Sequence, residues 1–120
     1  MTEKYFLFIV EDPRHFDDWT PADWAPLNAR HAAFAEAVKA AGAEVLFSDP
    51  LDEATIRVTP GEDGPLYSDG PFGETREIVL GYYKLAVRDE AQALELAALC
   101  PTAGWVDVRR VLDPSEYSEG

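Results

Sequence analysis

The chain has 120 residues, and 10 Lys and Arg against 23 Asp and Glu give it a formal net charge of −13 at pH 7. This length favours one domain, and a hydrophobic content of 47% is enough for a core. The negative charge argues against nucleic acid and anionic membranes as partners, because it repels phosphate groups.

The first half of the chain predicts a strand, a helix and a second strand. An aromatic and β-branched run over residues 4–10 is typical of a buried strand. Thr20 predicts a helix N-cap, but Pro26 leaves a later start, at residues 26–27, open. Apolar residues then recur at helical spacing up to Gly42, a typical C-terminal glycine. Residues 43–47 follow as a short strand.

The second half predicts a hairpin, a long strand, a second helix and a last strand. The hairpin covers residues 54–68, with a Pro- and Gly-containing turn at residues 60–64. In chain order the remaining elements are a strand at 78–87, a helix capped by Asp89 with Gln92 in the capping-box position and ending at Leu99, and a strand at 105–112. Residues 1–112 therefore form the domain, and residues 113–120 form a loose acidic tail.

This order of elements predicts an α+β fold of the ferredoxin-like, split βαβ type, with a β-hairpin insert and both helices on one face of the sheet. The other face would be open. The side chains expected there are alternate members of two apolar runs, Phe6, Phe8 and Val10 in one and Val79, Tyr83 and Leu85 in the other. Such a face is too apolar for water, so we expect a homodimer with a dimeric α/β-barrel-like assembly.

The single cysteine, Cys100, cannot form an intrachain disulfide, so the fold does not need an oxidising compartment. The N-terminus lacks the pattern of a signal peptide, and no run approaches the roughly 18–20 apolar residues that span a bilayer. We therefore expect a cytoplasmic protein with no membrane partner. No glycine pattern predicts a nucleotide loop, and the two histidines and one cysteine do not have the spacing of a metal site. No cofactor is expected.

Two segments are candidates for chemistry. His31 lies on the apolar stripe of the first helix, where burial and a carboxylate could tune its pKa. The alternative is a core histidine bonded to a backbone carbonyl. Asp69 begins a loop of Gly and Pro that could hold its carboxylate rigidly for acid/base work. The alternative is a turn in which Asp69 binds nearby backbone amides.

The run Asp-Gly-Pro-Phe-Gly-Glu-Thr-Arg-Glu at residues 69–77 closely resembles the signature of the DGPF proteins, a branch of the YCII-related family. Weaker similarities follow in the right order, including Gly81-Tyr82-Tyr83 and the strand at residues 106–109. Leu80 and Arg110 depart from the pattern, which commonly has glycine and proline there. The resemblance implies a ferredoxin-like dimer, a histidine and aspartate with an inferred but unassigned enzymatic role, and an association with extracytoplasmic-function sigma factors.

Two functions follow from the residues and the resemblance together. In the first, the protein binds a small molecule in a helix–sheet cleft, where His31 is the general acid/base and Asp69 orients its ring or shares its proton. Phe72, Arg76, Tyr82 and Tyr83 form the expected substrate-binding set. The chemistry would be cofactor-free proton transfer of isomerase, lyase or hydrolase type, because Cys100 at a helix C-terminus is a poor nucleophile. In the second, the protein is a non-catalytic accessory or regulatory module. Whether it is an enzyme stays open at this point.

Overall fold

A computed structural model describes residues 2–70 and 76–117, and it forms an α+β fold there. The elements are β1 (Glu3–Glu11), α1 (Pro21–Ala40), β2 (Glu44–Pro50), β3 (Ile56–Thr59), β4 (Leu66–Asp69), β5 (Ile78–Val87), α2 (Glu90–Ala97) and β6 (Trp105–Arg110). Short 3-10 turns lie at Pro13–Phe16 and Pro114–Glu116. In the described part of the chain, no helix is long and apolar enough to cross a membrane.

Four strands form an antiparallel sheet in the order β2-β5-β1-β6. Each half of the chain contributes a strand, a helix and a strand, which is compatible with the predicted ferredoxin-like fold. Side chains alternate along the two central strands. The core includes Leu7, Leu85 and Val87, which lie on the helix-covered face together with Val38 of α1.

The helix termini follow the capping residues of the sequence. The carboxylate of Asp23 accepts hydrogen bonds from the amide and hydroxyl of Thr20, at 2.8 and 3.0 Å, so α1 begins at Pro21 and contains Pro26. The later start at residues 26–27 is thus wrong. At the other end Gly42 has a φ of +80°, which glycine adopts without strain, and the helix ends there.

Gln92 connects the two halves of the domain. Its amide donates to the carboxylate of Asp89 at 2.9 Å, as expected for a residue that follows an N-cap. Its side chain accepts from the amide of Arg88 at 2.7 Å and donates to the carbonyl of Ala41 at 2.8 Å. Gln92, which is buried, therefore bonds the N-cap of α2 through its backbone and connects α2 to the end of α1 through its side chain.

Three predicted element ends differ from the structure. β2 does not stop at Phe47 but pairs with β5 as far as Pro50, because this is an edge strand, where proline is tolerated. α2 and β6 end two residues earlier than expected, at Ala97 and Arg110. Part of the acidic tail is ordered as well, since Glu116 forms an ion pair with Arg110 at 2.7 Å.

The prediction for the open sheet face was half right. Phe6 and Phe8 lie on that face, half-buried and stacked with ring centroids 5.2 Å apart. Tyr83 and Leu85, which were expected beside them, are buried on the helix-covered face instead. The prediction assigned the wrong set of alternate β5 residues to the open face. A shift of one residue exchanges the two faces of a strand, so the whole set changes sides.

The hairpin β3–β4 forms a separate two-stranded sheet, which we call the arm (residues 56–69). Every residue of its two strands is exposed. On the arm, Val58 pairs with Tyr67 and Ile56 pairs with Asp69. Because paired residues and alternate residues of a strand point to the same side, these four side chains share one face.

Candidate functional site

A cavity of about 520 Å³ lies between the first half of α1 and the sheet. This volume is within the range of pockets that bind small organic molecules. It is lined by Ile9, Glu11, Pro13, Phe16, Trp24, Leu27, Asn28, His31, Ser48, Asp49, Pro50, Leu51, Asp52, Glu53, Leu80, Gly81, Tyr82 and Tyr83.

The cavity exists because α1 covers the sheet closely only with its second half. Phe34 and Val38 are buried, whereas Trp24 near the start of the helix is 38% exposed. Gly81 of β5 adds no side chain beneath the first half, and a Cβ there would lie 3.4 Å from the carbonyl oxygen of Asp49. The helix and sheet therefore diverge toward the N-terminus of α1 and leave space between them.

His31 sits on the wall of this cavity, with its Nδ1 atom 2.7 Å from the hydroxyl of Tyr83. The two rings are stacked, with centroids 5.9 Å apart, and Phe34 packs edge-on against Tyr83 at 4.7 Å. Burial lowers the pKa of His31 and raises the pKa of Tyr83 to about 12. Both side chains are therefore neutral at pH 7.

Glu11 is the carboxylate that acts on His31. It is 8% exposed, lines the cavity, and accepts a hydrogen bond from the amide of Ala103 to Oε2 at 2.7 Å. Its negative charge raises the pKa of His31, although burial outweighs this effect and the nearby Arg30 opposes it. Glu11 was not predicted as a site residue, because a carboxylate at the end of a strand is usually exposed to solvent.

Four aromatic side chains pack together beside the cavity, and we call them the aromatic cluster: His15, Phe16, Trp19 and Trp24. Phe16 stacks on Trp24 with ring centroids 5.2 Å apart, and Trp19 meets Trp24 edge-on at 4.8 Å. Phe16 and Trp24 form part of the cavity wall. The cluster thus gives the cavity a fixed aromatic side.

Tyr82 and Asp49 lie opposite each other on β5 and β2, and both reach the cavity. The hydroxyl of Tyr82 donates a hydrogen bond to the carboxylate of Asp49, which raises the pKa of Tyr82. The ring of Tyr82 lies beside Phe6 on the open face, with ring centroids 5.8 Å apart, so the Asp49 carboxylate is held on that face, at the edge of the cavity.

The structure brings three of the predicted site residues together: His31, Tyr82 and Tyr83 all line the cavity. Because the hydrogen-bond partner of His31 is a tyrosine hydroxyl, the alternative of a core histidine bonded to a backbone carbonyl is wrong. Cys100 is buried, and burial raises its pKa to about 12, so its thiol is protonated at pH 7.

The other predicted site residues lie elsewhere. Asp69 is exposed on the arm opposite Ile56, and it is not among the described residues that line the cavity. The structure therefore does not bring Asp69 to His31 within one chain, and their pairing stays a prediction. Arg76 is exposed. Hydrogen bonds from Arg14 lower the pKa of Asp12 to about 2, and the charge of Arg76 makes a smaller contribution. Phe72 lies outside the described residues.

A family model, the YCII-related domain, matches residues 4–114. The chain belongs to the YCII-related family. No curated protein matches it. In this YCII-related chain, the match includes every residue that lines the cavity. Among residues 2–70 and 76–117, no group of three or more His, Cys, Asp and Glu side chains could hold a metal ion.

Proposed function

We propose that this YCII-related protein binds a compact organic molecule in the cavity between α1 and the sheet, with His31 as its acid/base group. The observation that carries the proposal is the hydrogen bond between His31 Nδ1 and the hydroxyl of Tyr83, which fixes the imidazole on the cavity wall. Nε2 has no hydrogen-bond partner among the described residues, so it is free to contact a bound molecule.

The chemistry that suits this arrangement is proton transfer. An imidazole whose pKa lies below its ordinary value is neutral at pH 7. In the tautomer whose Nδ1–H donates to Tyr83, Nε2 holds the lone pair and accepts a proton. Glu11 would stabilise the imidazolium that forms, because its carboxylate is close enough to raise the pKa of His31. Tyr83 would hold the ring while the proton moves.

A thermal-shift screen of a chemically mixed library of small molecules tests the proposal, with the wild-type chain, His31→Ala and His15→Ala compared side by side. His15 is the matched control, because it is the only other histidine in the chain and does not line the cavity. Hits should raise the melting temperature of the wild type and of His15→Ala, and should raise that of His31→Ala much less. Equal increases in melting temperature in all three proteins would show that His31 does not contribute to ligand binding. A screen without hits would contradict binding.

We also propose that two copies of the chain pack through the open face of the sheet. Supporting this, the face presents Phe6, Phe8, Phe47 and Trp105, of which Phe47 is 63% and Trp105 47% exposed. Two copies related by a two-fold axis can cover the same patch on each other, as in most homodimers. A patch of aromatic side chains on a four-stranded sheet is a suitable surface for this.

Light scattering tests the dimer directly. The wild type should have twice the chain mass of 13.3 kDa, and Phe47→Glu should shift it toward the single-chain mass. Leu99→Glu is the control, since Leu99 is a similarly exposed apolar residue (58%) that follows α2 rather than lying on the sheet. A wild-type protein with the mass of one chain would overturn the dimer.

A further inference from the structure

The charged side chains around the cavity are all of one sign. Four of its lining residues carry carboxylates: Glu11, Asp52 and Glu53, and Asp49, whose carboxylate is held by Tyr82 on the open face of the sheet. No lysine or arginine lines it among the described residues, and the residues outside the described part include neither type. His31 does not compensate, because burial favours its neutral form.

These carboxylates are not neutralised by the protein itself. Within the described part of the chain, none of the four forms an ion pair with lysine or arginine. Their bonds are to neutral donors: the Ala103 amide for Glu11, the Tyr82 hydroxyl for Asp49 and the Ala54 amide for Asp52. Their negative charge is therefore available to a ligand.

Glu11 adds the argument from burial. It is more than nine-tenths buried, and Oε2 accepts from Ala103. No buried side-chain oxygen of the described residues lacks a partner, so Oε1, for which no hydrogen bond is found there, keeps accessible surface. A buried carboxylate without a cation is costly, and a bound positive charge would lower that cost. The carboxylate lies on the cavity wall, where a ligand can reach it.

The rest of the wall is apolar and aromatic. Phe16 and Trp24, stacked on each other, line one side, and Leu27 and Ile9 line the cavity as well. Aromatic faces attract cations through their negative π surface, and they also bury the apolar body of a ligand. An anionic ligand would face the repulsion of all four carboxylates.

We propose that the ligand of this cavity is a compact organic cation, an amine carried on an apolar or aromatic body. This inference rests on the proposed function, since it names the class of molecule that the same cavity takes. The ammonium group lies toward the carboxylates, and the apolar body packs against Phe16 and Trp24.

Three probes of matched shape test the charge preference by calorimetry at low salt: 2-phenylethylamine, 2-phenylethanol and 3-phenylpropanoate. The amine should bind at least about tenfold more tightly than the alcohol, a preference of about 1.4 kcal/mol. The propanoate should bind most weakly. Added salt should weaken the amine alone, because salt screens charge pairs.

Substitutions of the cavity carboxylates test where the ammonium group binds. Asp52→Asn with Glu53→Gln should reduce the amine's advantage over the alcohol several-fold, since both residues line the cavity and are exposed, so their exchange should not disturb folding. Glu36→Gln on α1 is the matched control, because it removes an exposed carboxylate that does not line the cavity. Full retention of the advantage in the double variant would place the amine elsewhere and overturn the inference.

The two proposals fail differently. If the alcohol or the propanoate binds as tightly as the amine, and His31→Ala weakens that binding, the cavity binds small molecules but the cation preference is overturned. If none of the three probes binds while hits from the mixed library depend on His31, the cation class is again wrong and the binding function stands. If no molecule binds in either experiment, both proposals fail.

Discussion

The sheet under the helices and the arm are both built from antiparallel strands with apolar residues, yet they differ completely in burial. Leu7 and Leu85 on the sheet have no exposed surface, whereas Val58 and Leu66 on the arm are 56% and 61% exposed. Strand pairing and apolar content therefore do not by themselves produce a core. A second layer is needed, and among residues 2–70 and 76–117 only the four-stranded sheet has one.

Hydrogen exchange should show the largest contrast between the two regions. Amides of the arm, such as those of Val58 and Tyr67, should open locally at little cost, because an isolated two-stranded hairpin is marginal in water. The amides of Leu7 and Leu85 should exchange only through global unfolding, at least about 10³-fold more slowly. Comparable protection in both regions would mean that a second copy or another surface covers the arm.

The second largest contrast should be the loss of stability when a leucine is replaced by alanine in each region. Leu85→Ala should lower the free energy of unfolding by about 2–5 kcal/mol, because it leaves a cavity under the helices at a fully buried position. Leu66→Ala on the arm should change it by less than about 0.5 kcal/mol. Chemical denaturation measures both. A large loss in Leu66→Ala would show that the arm is packed in solution.

Removing a tyrosine hydroxyl should produce a smaller difference in stability between the two regions. Tyr83→Phe should cost about 1 kcal/mol, since it breaks the hydrogen bond to His31 beside the cavity. Tyr67→Phe on the arm should have no measurable effect, as Tyr67 is 71% exposed. Tyr83→Phe should also weaken any ligand that depends on His31. Unchanged stability and binding in Tyr83→Phe would mean that this hydrogen bond contributes neither to folding nor to the site.

The smallest effect is a pH dependence that belongs to the helix–sheet region. The pKa of His31 in the folded chain lies below its ordinary 6.5, so the unfolded chain takes up this proton first as the pH falls. The stabilising contribution is complete above 6.5 and is lost as the pH falls through the folded pKa. Glu11 on β1 and Arg30 on α1 are the charges that act on the group.

Denaturation at about pH 7.5 and 5.5 tests this linkage. The wild type should lose more stability between the two values than His31→Gln, because only the wild type carries the imidazole at position 31. An identical loss in wild type and His31→Gln would mean that His31 titrates alike in both states.

The sequence predicted most of the fold because its local signals agree with one another. Thr20 and Gly42 bound α1, and the strands are regular apolar runs. The phase of β5 was wrong, because this strand has apolar residues at both alternations and only the helix packing selects the face of Tyr83. Periodicity could not decide between two apolar faces.

The site was predictable only in part. His31 stood out as a polar residue on an apolar helix face, and Tyr82 and Tyr83 came from the family resemblance. Glu11 could not be found, since its burial depends on the amide of Ala103, which the fold brings to it from the far end of the chain. Contacts between residues so distant in sequence leave no local pattern.

The arm also changes how large a single copy is in solution. The radius of gyration is 17.1 Å, and the molecule extends over 53 × 51 × 20 Å. A chain of this length packed as a sphere-like domain would have a radius of about 14 Å, and 17.1 Å corresponds to about 220 residues. One copy should thus elute from a sizing column close to where a compact protein of nearly twice its mass elutes, and elution volume alone would mistake it for a pair.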